Sequence, residues 1–332
     1  MEPRVNILLP TFEPNPEHLR AAIESVRDQT EQRWTLFIHD DASTTDVRAI
    51  VEPYLSDPCI HFARSPKRRG IGGNWNATMR VDDADASVHT LHTHAPCIQF
   101  LFQDDRWEPL YLERVLAVMQ KHADVGCVVA EHHYAFEGES AVRSQYEALA
   151  EFRRTKIAPG KQDGMAFLRW WMQRGLHPNV IGEPSFVILK RELVERVGAF
   201  DDTMPQFLDV EFWTRMLPQT IWYHLPDDLG TFRVHRAGAS ERNRIEGRGL
   251  FDRLRCMERV YAREILPRER TKMRHAIEEQ LAAMIVKFRM RKESGGAVQS
   301  EGKVGVIRFA LRHPIMMLRA WKRSRKSSIL PS

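Results

Sequence analysis

Two adjacent carboxylates, Asp104 and Asp105, stand directly after the apolar run from Cys97 to Gln103. That run reads as a buried strand, so the pair hangs off a strand end. Side-by-side acids in a tight turn repel each other unless a cation sits between them or one keeps its proton. A divalent metal is the chemistry this arrangement suggests first, although Asp-Asp also suits a plain turn into the helical pattern at 109–122. Similar polar clusters end the other strand-like segments. Pro10, Thr11 and Phe12 follow Val5 to Leu9; Asp40 and Asp41 follow Thr35 to Ile38; Arg68, Arg69 and Gly70 follow Ile60 to Ala63; His235 follows Thr231 to Val234.

The elements that must position these groups alternate between strand and helix. Apolar spacing predicts helices over 17–28, 46–55, 73–80 and 109–122, separated by strands at 5–9, 35–38, 60–63, 98–102 and 126–130. Strand, helix, strand in repetition predicts an α/β fold with a mostly parallel sheet and helices on both faces. Right-handed crossovers bring the carboxyl ends of such strands to one edge, where ligands bind. Two acidic pairs and one basic pair would then meet in one crevice. Between 140 and 170 the pattern loosens, apart from a helix over 165–172. A second mixed region at 179–235 predicts strands at 184–189, 221–224 and 231–234, and helices at 191–197 and 210–217. Helices over 248–264 and 268–291 come next, and a basic tail ends the chain.

With 332 residues and 43% hydrophobic content the chain is long enough for a large folded domain with an appendage. No run of about 18 apolar residues and no signal-peptide pattern is seen, which points to a cytoplasmic protein. Cys59, Cys97, Cys127 and Cys256 are far apart and predict buried thiols rather than disulfides or a zinc knuckle. The net charge of +5 is uneven, because residues 287–326 carry twelve Lys/Arg against two Glu and the rest of the chain is acidic. A general nucleic-acid-binding surface is therefore not expected.

In their order along the chain these motifs resemble the family 2 glycosyltransferases, inverting enzymes of the GT-A fold. Leu9-Pro10-Thr11-Phe12 is similar to the family's Pro-Thr-aromatic turn. The segment from Ile38 to Asp46 resembles its Val-Asp-Asp-Gly-Ser-Thr-Asp signature, with Ala42 for Gly and one added residue. Arg68 to Asn76 resembles its Asn-x-Gly loop, with Arg68 in place of the first Asn. Gln103-Asp104-Asp105 corresponds to the strand-end acids, and Leu208 to Trp213 resembles the Glu-Asp-x-Asp-hydrophobic-Trp segment, with Leu208 for Glu. The resemblance covers about 4–240.

It implies a GT-A domain at 1–240, with a donor half to about 130 and an acceptor half beyond, a helical extension at 241–296 and a basic amphipathic tail at 297–332. The implied donor is a nucleotide-diphosphate sugar, bound by Pro10, Thr11, Phe12, Asp41, Arg68 and Asp104. Asp105, with His235, would hold Mg²⁺ or Mn²⁺. Asp209 would be the general base that deprotonates a hydroxyl of a glycan or lipid-linked glycan acceptor. Gly182, Glu183, Pro184 and Glu211 would lie on the acceptor side. The resemblance does not remove two alternatives, a nucleotidyltransferase and a nucleotide-sugar-binding or membrane-docking protein without catalysis. His89, His92 and His94, with His132 and His133, read as solvated loop residues rather than a metal cluster. In the tail, Val304, Ile307, Leu311, Ile315 and Leu318 share a helical face ringed by Arg308, Arg312, Arg319, Lys322 and Arg323, a pattern suited to an anionic membrane at the inner face.

Overall fold

The structure is a computed structural model that describes residues 2–79, 95–138, 142–204, 206–235, 238, 251–263, 267–293 and 307–326. His89, His92, His94 and Val304 lie outside these residues. The chain divides into two compact units, the first formed by 1–165, 179–203 and 215–236, the second by 166–178, 204–214 and 237–332.

The first unit is built on a sheet whose strands run in the order β3-β2-β1-β4-β8-β6-β9-β5, with β7 paired to β9. Three parallel pairings hold its first half: β1 (Val5–Thr11) lies between β2 (Trp34–Asp40) and β4 (Cys97–Phe100), and β3 (Ile60–Arg64) adds to β2. Every residue of β1 is buried, as a strand covered on both faces requires. The second half mixes directions. β8 (Val187–Lys190) is antiparallel to both β4 and β6 (Val125–Phe136), whereas β6 runs parallel to β9 (Ile221–Val234). Two short strands, β5 (Arg106–Trp107) and β7 (Gly160–Asp163), are antiparallel to β9.

Helix α1 (Pro16–Arg27) shows why the local sequence folds as it does. Asn15 caps it by accepting hydrogen bonds from the Glu17 and His18 N–H groups at 2.8 and 3.4 Å, and Pro16 supplies a helical φ where no N–H is needed. Leu19, Ala22, Ile23 and Val26 form the buried stripe. Each large side chain so buried contributes about 1.5–3 kcal/mol. Helices α2 (Val47–Val51), α3 (Ile71–Met79) and α4 (Tyr111–Lys121) follow the next strands, and α4 buries Tyr111, Leu112, Val115, Leu116 and Met119 on the same core.

Several expectations change. The strands expected at 221–224 and 231–234 are one strand, because shifts in the β6 register absorb the polar stretch around Asp228 and keep the pairing continuous. The loose stretch after 140 holds α5 (Arg143–Lys156), which buries little besides Arg153 and so lacks an apolar stripe to announce it. His132 is 4% exposed within β6, not a solvated loop residue. Cys97, Cys127 and Cys256 are buried free thiols and Cys59 is partly exposed.

Helices α6 (Gly164–Gln173), α7 (Arg191–Val197) and α8 (Leu208–Met216) precede the C-terminal helices α9 (Asp252–Ala262), α10 (Arg270–Glu293) and α11 (Pro314–Lys326). In the second unit, Trp171, Trp213, Met257, Ile277 and Leu281 are all buried. Pro314 starts α11 directly after the break at His313 that ends the helical segment 307–312, a first-turn place that its missing N–H favours. Among the described residues no helix is long and apolar enough to cross a membrane.

Candidate functional site

Register places the first polar groups side by side. Thr11 at the end of β1 pairs with Asp40, and Asp40 pairs with Arg64. Asp40 is sealed: its carboxylate accepts from the Ser43 backbone N–H and lies 3.1 Å from the Arg64 guanidinium. Asp41, the next residue, is 1% exposed and holds the basic loop, accepting from the Arg69 N–H at 2.6 Å and the Gly70 N–H at 2.9 Å. Burial raises the Asp41 carboxyl above its ordinary range against the pull of those two N–H groups and the Arg68 charge. Gly70 makes this turn with φ +80°, a conformation costly for any residue with a Cβ.

Phe12 joins this corner to the acidic turn. Its N–H donates to Gln103 Oε1 at 2.8 Å and its carbonyl accepts from Gln103 Nε2 at 3.3 Å. The Arg68 guanidinium lies 4.1 Å from the centre of the Phe12 ring, a cation stacked on an aromatic wall. Contacts therefore run from Asp41 through the Arg68–Gly70 loop and Phe12 to Gln103 of the turn that carries Asp104, with Pro10 and Thr11 buried at the end of β1.

The two acids of that loop have separate environments. Asp105 is 2% exposed; its Oδ2 accepts from the Ser185 hydroxyl at 2.6 Å and its Oδ1 from the Arg233 N–H at 3.1 Å. Burial drives its carboxyl well above the usual range, with repulsion from Asp104 and Glu183 adding to the effect. Asp105, expected as the metal ligand, is therefore a buried acid committed to its protein neighbours. Asp104 faces two imidazoles instead. His235 Nε2 lies 3.2 Å from its Oδ2, and His18 Nδ1 lies 3.6 Å from its Oδ1. Burial alone would raise Asp104, but the neighbouring His18 and His235 imidazoles hold it down at about 2. Asp104 in turn raises His235 above its ordinary value. Arg233 braces the turn, donating from Nε to the Asp104 carbonyl at 3.1 Å and from Nη1 to Glu137 at 2.7 Å.

Donor atoms of His18, Asp104 and His235 lie within 4.8 Å of one another, and His18 Nδ1 and Asp104 Oδ1 are buried without a hydrogen-bond partner. Unpaired buried polar atoms cost about 1–3 kcal/mol each, and a cation between them removes that cost. The donor set fits a divalent ion. His18 was not expected from the sequence. The available signal was its place in the first turn of the helix that follows β1, beside the carboxyl edge, since no ligand spacing links it to Asp104 or His235.

On the expected acceptor side, Gly182, Glu183 and Pro184 border a buried polar array. Glu183 Oε2 lies 3.3 Å from His132 Nε2, and Arg153 Nε lies 3.2 Å from Glu131 Oε2, which the sequence reading did not anticipate. The His132 ring stacks on Phe186 at 3.9 Å. Burial would raise Glu183, yet His132 and Arg153 lower it on balance. Gly182, with φ +81°, stands so close that an added Cβ would lie 2.9 Å from Arg153 Nη1.

Asp209 and Glu211 belong to the second unit. Both lie in the first turn of α8, so Asp209 is inside the helix rather than its cap. Glu211 is 2% exposed and lies 3.6 Å from Arg259 and 3.4 Å from Arg263, an ion-pair partner within its own unit. A cavity of about 730 Å³ lined by Arg4, Arg33, Cys97 and Arg191 opens at the opposite, amino edge of the parallel strands and contains none of the acids above.

Residues 6–180 match the profile described as Glycosyl transferase family 2. The chain belongs to this family. An uncharacterized protein of Mycobacterium tuberculosis, MT1568, is 23% identical over 256 residues, covering 77% of this chain and 75% of its own. S. aureus TarS 1–349 in complex with UDP-GlcNAc superimposes with a TM-score of 0.61 at 13% identity, over 92% of this chain and 78% of that one. The chain spans only 43% of a longer TarS structure. The mannosyltransferase PcManGT from Pyrobaculum calidifontis, in complex with GDP-Man and Mn²⁺, superimposes with a TM-score of 0.53 at 15% identity, over 98% and 87% of the two chains. These likenesses establish the GT-A fold, and membership of family 2 makes the protein a glycosyltransferase.

Proposed function

We propose that the protein is a metal-assisted inverting glycosyltransferase that moves a sugar from a nucleotide-diphosphate donor to a hydroxyl of a glycan or lipid-linked glycan. One observation carries this reading: the Phe12 wall with Arg68 on it, the Asp41 carboxylate and the Asp104–His235 pair line one carboxyl edge of the sheet. A flat wall and a buried acceptor suit a base, and an acid with an imidazole suits a diphosphate-bound cation. The roles first given to the acidic pair are exchanged here, with Asp104 toward the metal and Asp105 as the support beneath it.

In the proposed step, a carboxylate takes the acceptor hydroxyl proton as the new C1–O bond forms. The bond from C1 to the diphosphate oxygen breaks on the opposite face, and the nucleoside diphosphate leaves. Mg²⁺ or Mn²⁺ at Asp104 and His235 would supply neutralisation of charge on the leaving diphosphate. Asp209 is proposed as the base on its place in the family segment. Asp209→Asn is expected to lower kcat by about 100-fold or more with donor binding kept. Glu183, held by His132, is proposed for the acceptor side.

The tail adds a surface. Ile307, Leu311, Ile315, Leu318 and Trp321 are all exposed, from 40% to 78%, beside Arg308, Arg312, Lys322 and Arg325. That pattern supports contact with an anionic bilayer, where a lipid-linked acceptor would reside. Thermal stabilisation by a panel of nucleotide-diphosphate sugars with Mn²⁺ tests the donor class, and the anomeric configuration of the product tests inversion. Absence of stabilisation by every donor would overturn the reading.

A further inference from the structure

We propose that His18 is a third protein ligand of the cation, which makes the centre a two-histidine, one-carboxylate site selective for borderline metals such as Mn²⁺ or Co²⁺ over Mg²⁺. The inference deepens the metal part of the reading above and rests on it only for the presence of an ion beside Asp104.

The ring nitrogens of His18 are distinguished by their neighbours. Nε2 lies 3.0 Å from Glu137 Oε1, whereas Nδ1 is buried without a hydrogen bond, 3.6 Å from Asp104 Oδ1. A carboxylate that accepts the proton of one imidazole nitrogen leaves the lone pair on the other and orients the ring, the arrangement found behind metal-bound histidines. Glu137 is itself held by Arg233 Nη1 at 2.7 Å, and the same guanidinium donates to the Asp104 carbonyl. One arginine therefore fixes both the acid and the group that sets the His18 tautomer.

The geometry also suits a shared ion. The His18 and His235 rings meet edge to face with centroids 5.6 Å apart, and Asp104 reaches both. Donors about 2.1 Å from one ion stand roughly 3–4 Å from one another, so the 4.8 Å envelope needs only small side-chain rotations. Side-chain exposures of 11%, 20% and 14% leave the cluster open to an entering ion. The preference follows from chemistry. Mg²⁺ favours an all-oxygen shell with several waters, whereas two imidazoles and a carboxylate favour later first-row ions.

Pulsed electron paramagnetic resonance on Mn²⁺ bound to the full chain without nucleotide counts coordinated imidazole nitrogens. Two are expected in the wild type and one in either His18→Ala or His235→Ala. Mn²⁺ affinity should fall at least about 10-fold in His18→Ala and by about 10-fold in Glu137→Gln, which keeps the imidazole but weakens its orientation. Mg²⁺ at equal concentration should not displace Mn²⁺. If His18→Ala does not fold, the Glu137→Gln affinity and the wild-type nitrogen count decide. A single nitrogen in the wild type that persists in His18→Ala would overturn the proposal, as would no Mn²⁺ binding by the free chain at millimolar metal. Failure of the glycosyltransferase reading has a separate signature, namely no nucleotide-diphosphate sugar bound with any metal, whatever the nitrogen count.

Discussion

Asparagine at position 104 and, separately, at position 105 tests the roles that the structure gives the two acids. Asp105→Asn keeps the shape of the side chain and its acceptor for the Arg233 N–H now 3.1 Å away, while the 2.6 Å bond that the Ser185 hydroxyl donates must reverse, the amide donating to Ser185 Oγ. Burial already favours the uncharged acid, so no buried charge is lost. Stability should change by less than about 1 kcal/mol, within the worth of one hydrogen bond. Asp105→Ala removes both partners instead. Two stranded buried groups cost about 1–3 kcal/mol each, or about 2–6 kcal/mol together. Asp104→Asn leaves the Ser185 and Arg233 contacts intact but removes the charge facing His18 and His235. It should weaken Mn²⁺-dependent donor binding by at least about 10-fold. Denaturant titration gives the stabilities, and calorimetry with donor and Mn²⁺ gives the affinities. A folded Asp105→Asn protein that has lost Mn²⁺-dependent binding, beside an Asp104→Asn protein that has kept it, would refute the assignment.

Three further outcomes follow from other parts of the molecule. Arg153→Met leaves the partly buried Glu131 and Glu183 without their guanidinium and should cost up to about 3–5 kcal/mol in denaturant titration, whereas a change under about 1 kcal/mol would show that the array is not electrostatically held. His132 is lowered by burial first and then by Arg153, so the unfolded chain takes up its proton before the folded one does. Its share of the stability is therefore complete above about pH 6.5 and lost as pH falls from there toward the folded value; His132→Gln should flatten that slope between pH 5 and 7.5. Leu311→Asp with Leu318→Asp should weaken binding to phosphatidylglycerol vesicles, read by sedimentation, by at least about 100-fold, since each leucine loses about 1.5–3 kcal/mol of burial. Vesicle binding unchanged by this double substitution would remove the tail from the proposed membrane contact.

Periodicity alone determined the first half of the sheet. Apolar runs predicted from Val5, Thr35, Ile60 and Ile98 became β1 to β4, because a segment buried on both faces has little else to form, and parallel crossovers then put Thr11, Asp40, Asp41 and the Asp104 turn at one edge. Residue type also marked His235, which the structure sets against Asp104. What the sequence did not determine is which oxygen faces which neighbour. Asp104 and Asp105 are chemically identical and adjacent, and only the approach of Ser185 and the Arg233 backbone, 80 and 128 residues away, buries one and leaves the other to the histidines. His18 and Glu137 were hidden for the same reason: each looks like an ordinary surface residue until α1 and the end of β6 bring them within 3.0 Å of each other. The buried Arg153 in a polar helix is the clearest case, since an amphipathic pattern is a record of solvent contact and carries no trace of a charge whose partners lie on other strands. Local patterns reflect each segment's own contest between water and core, whereas a site is set by pairings across the chain.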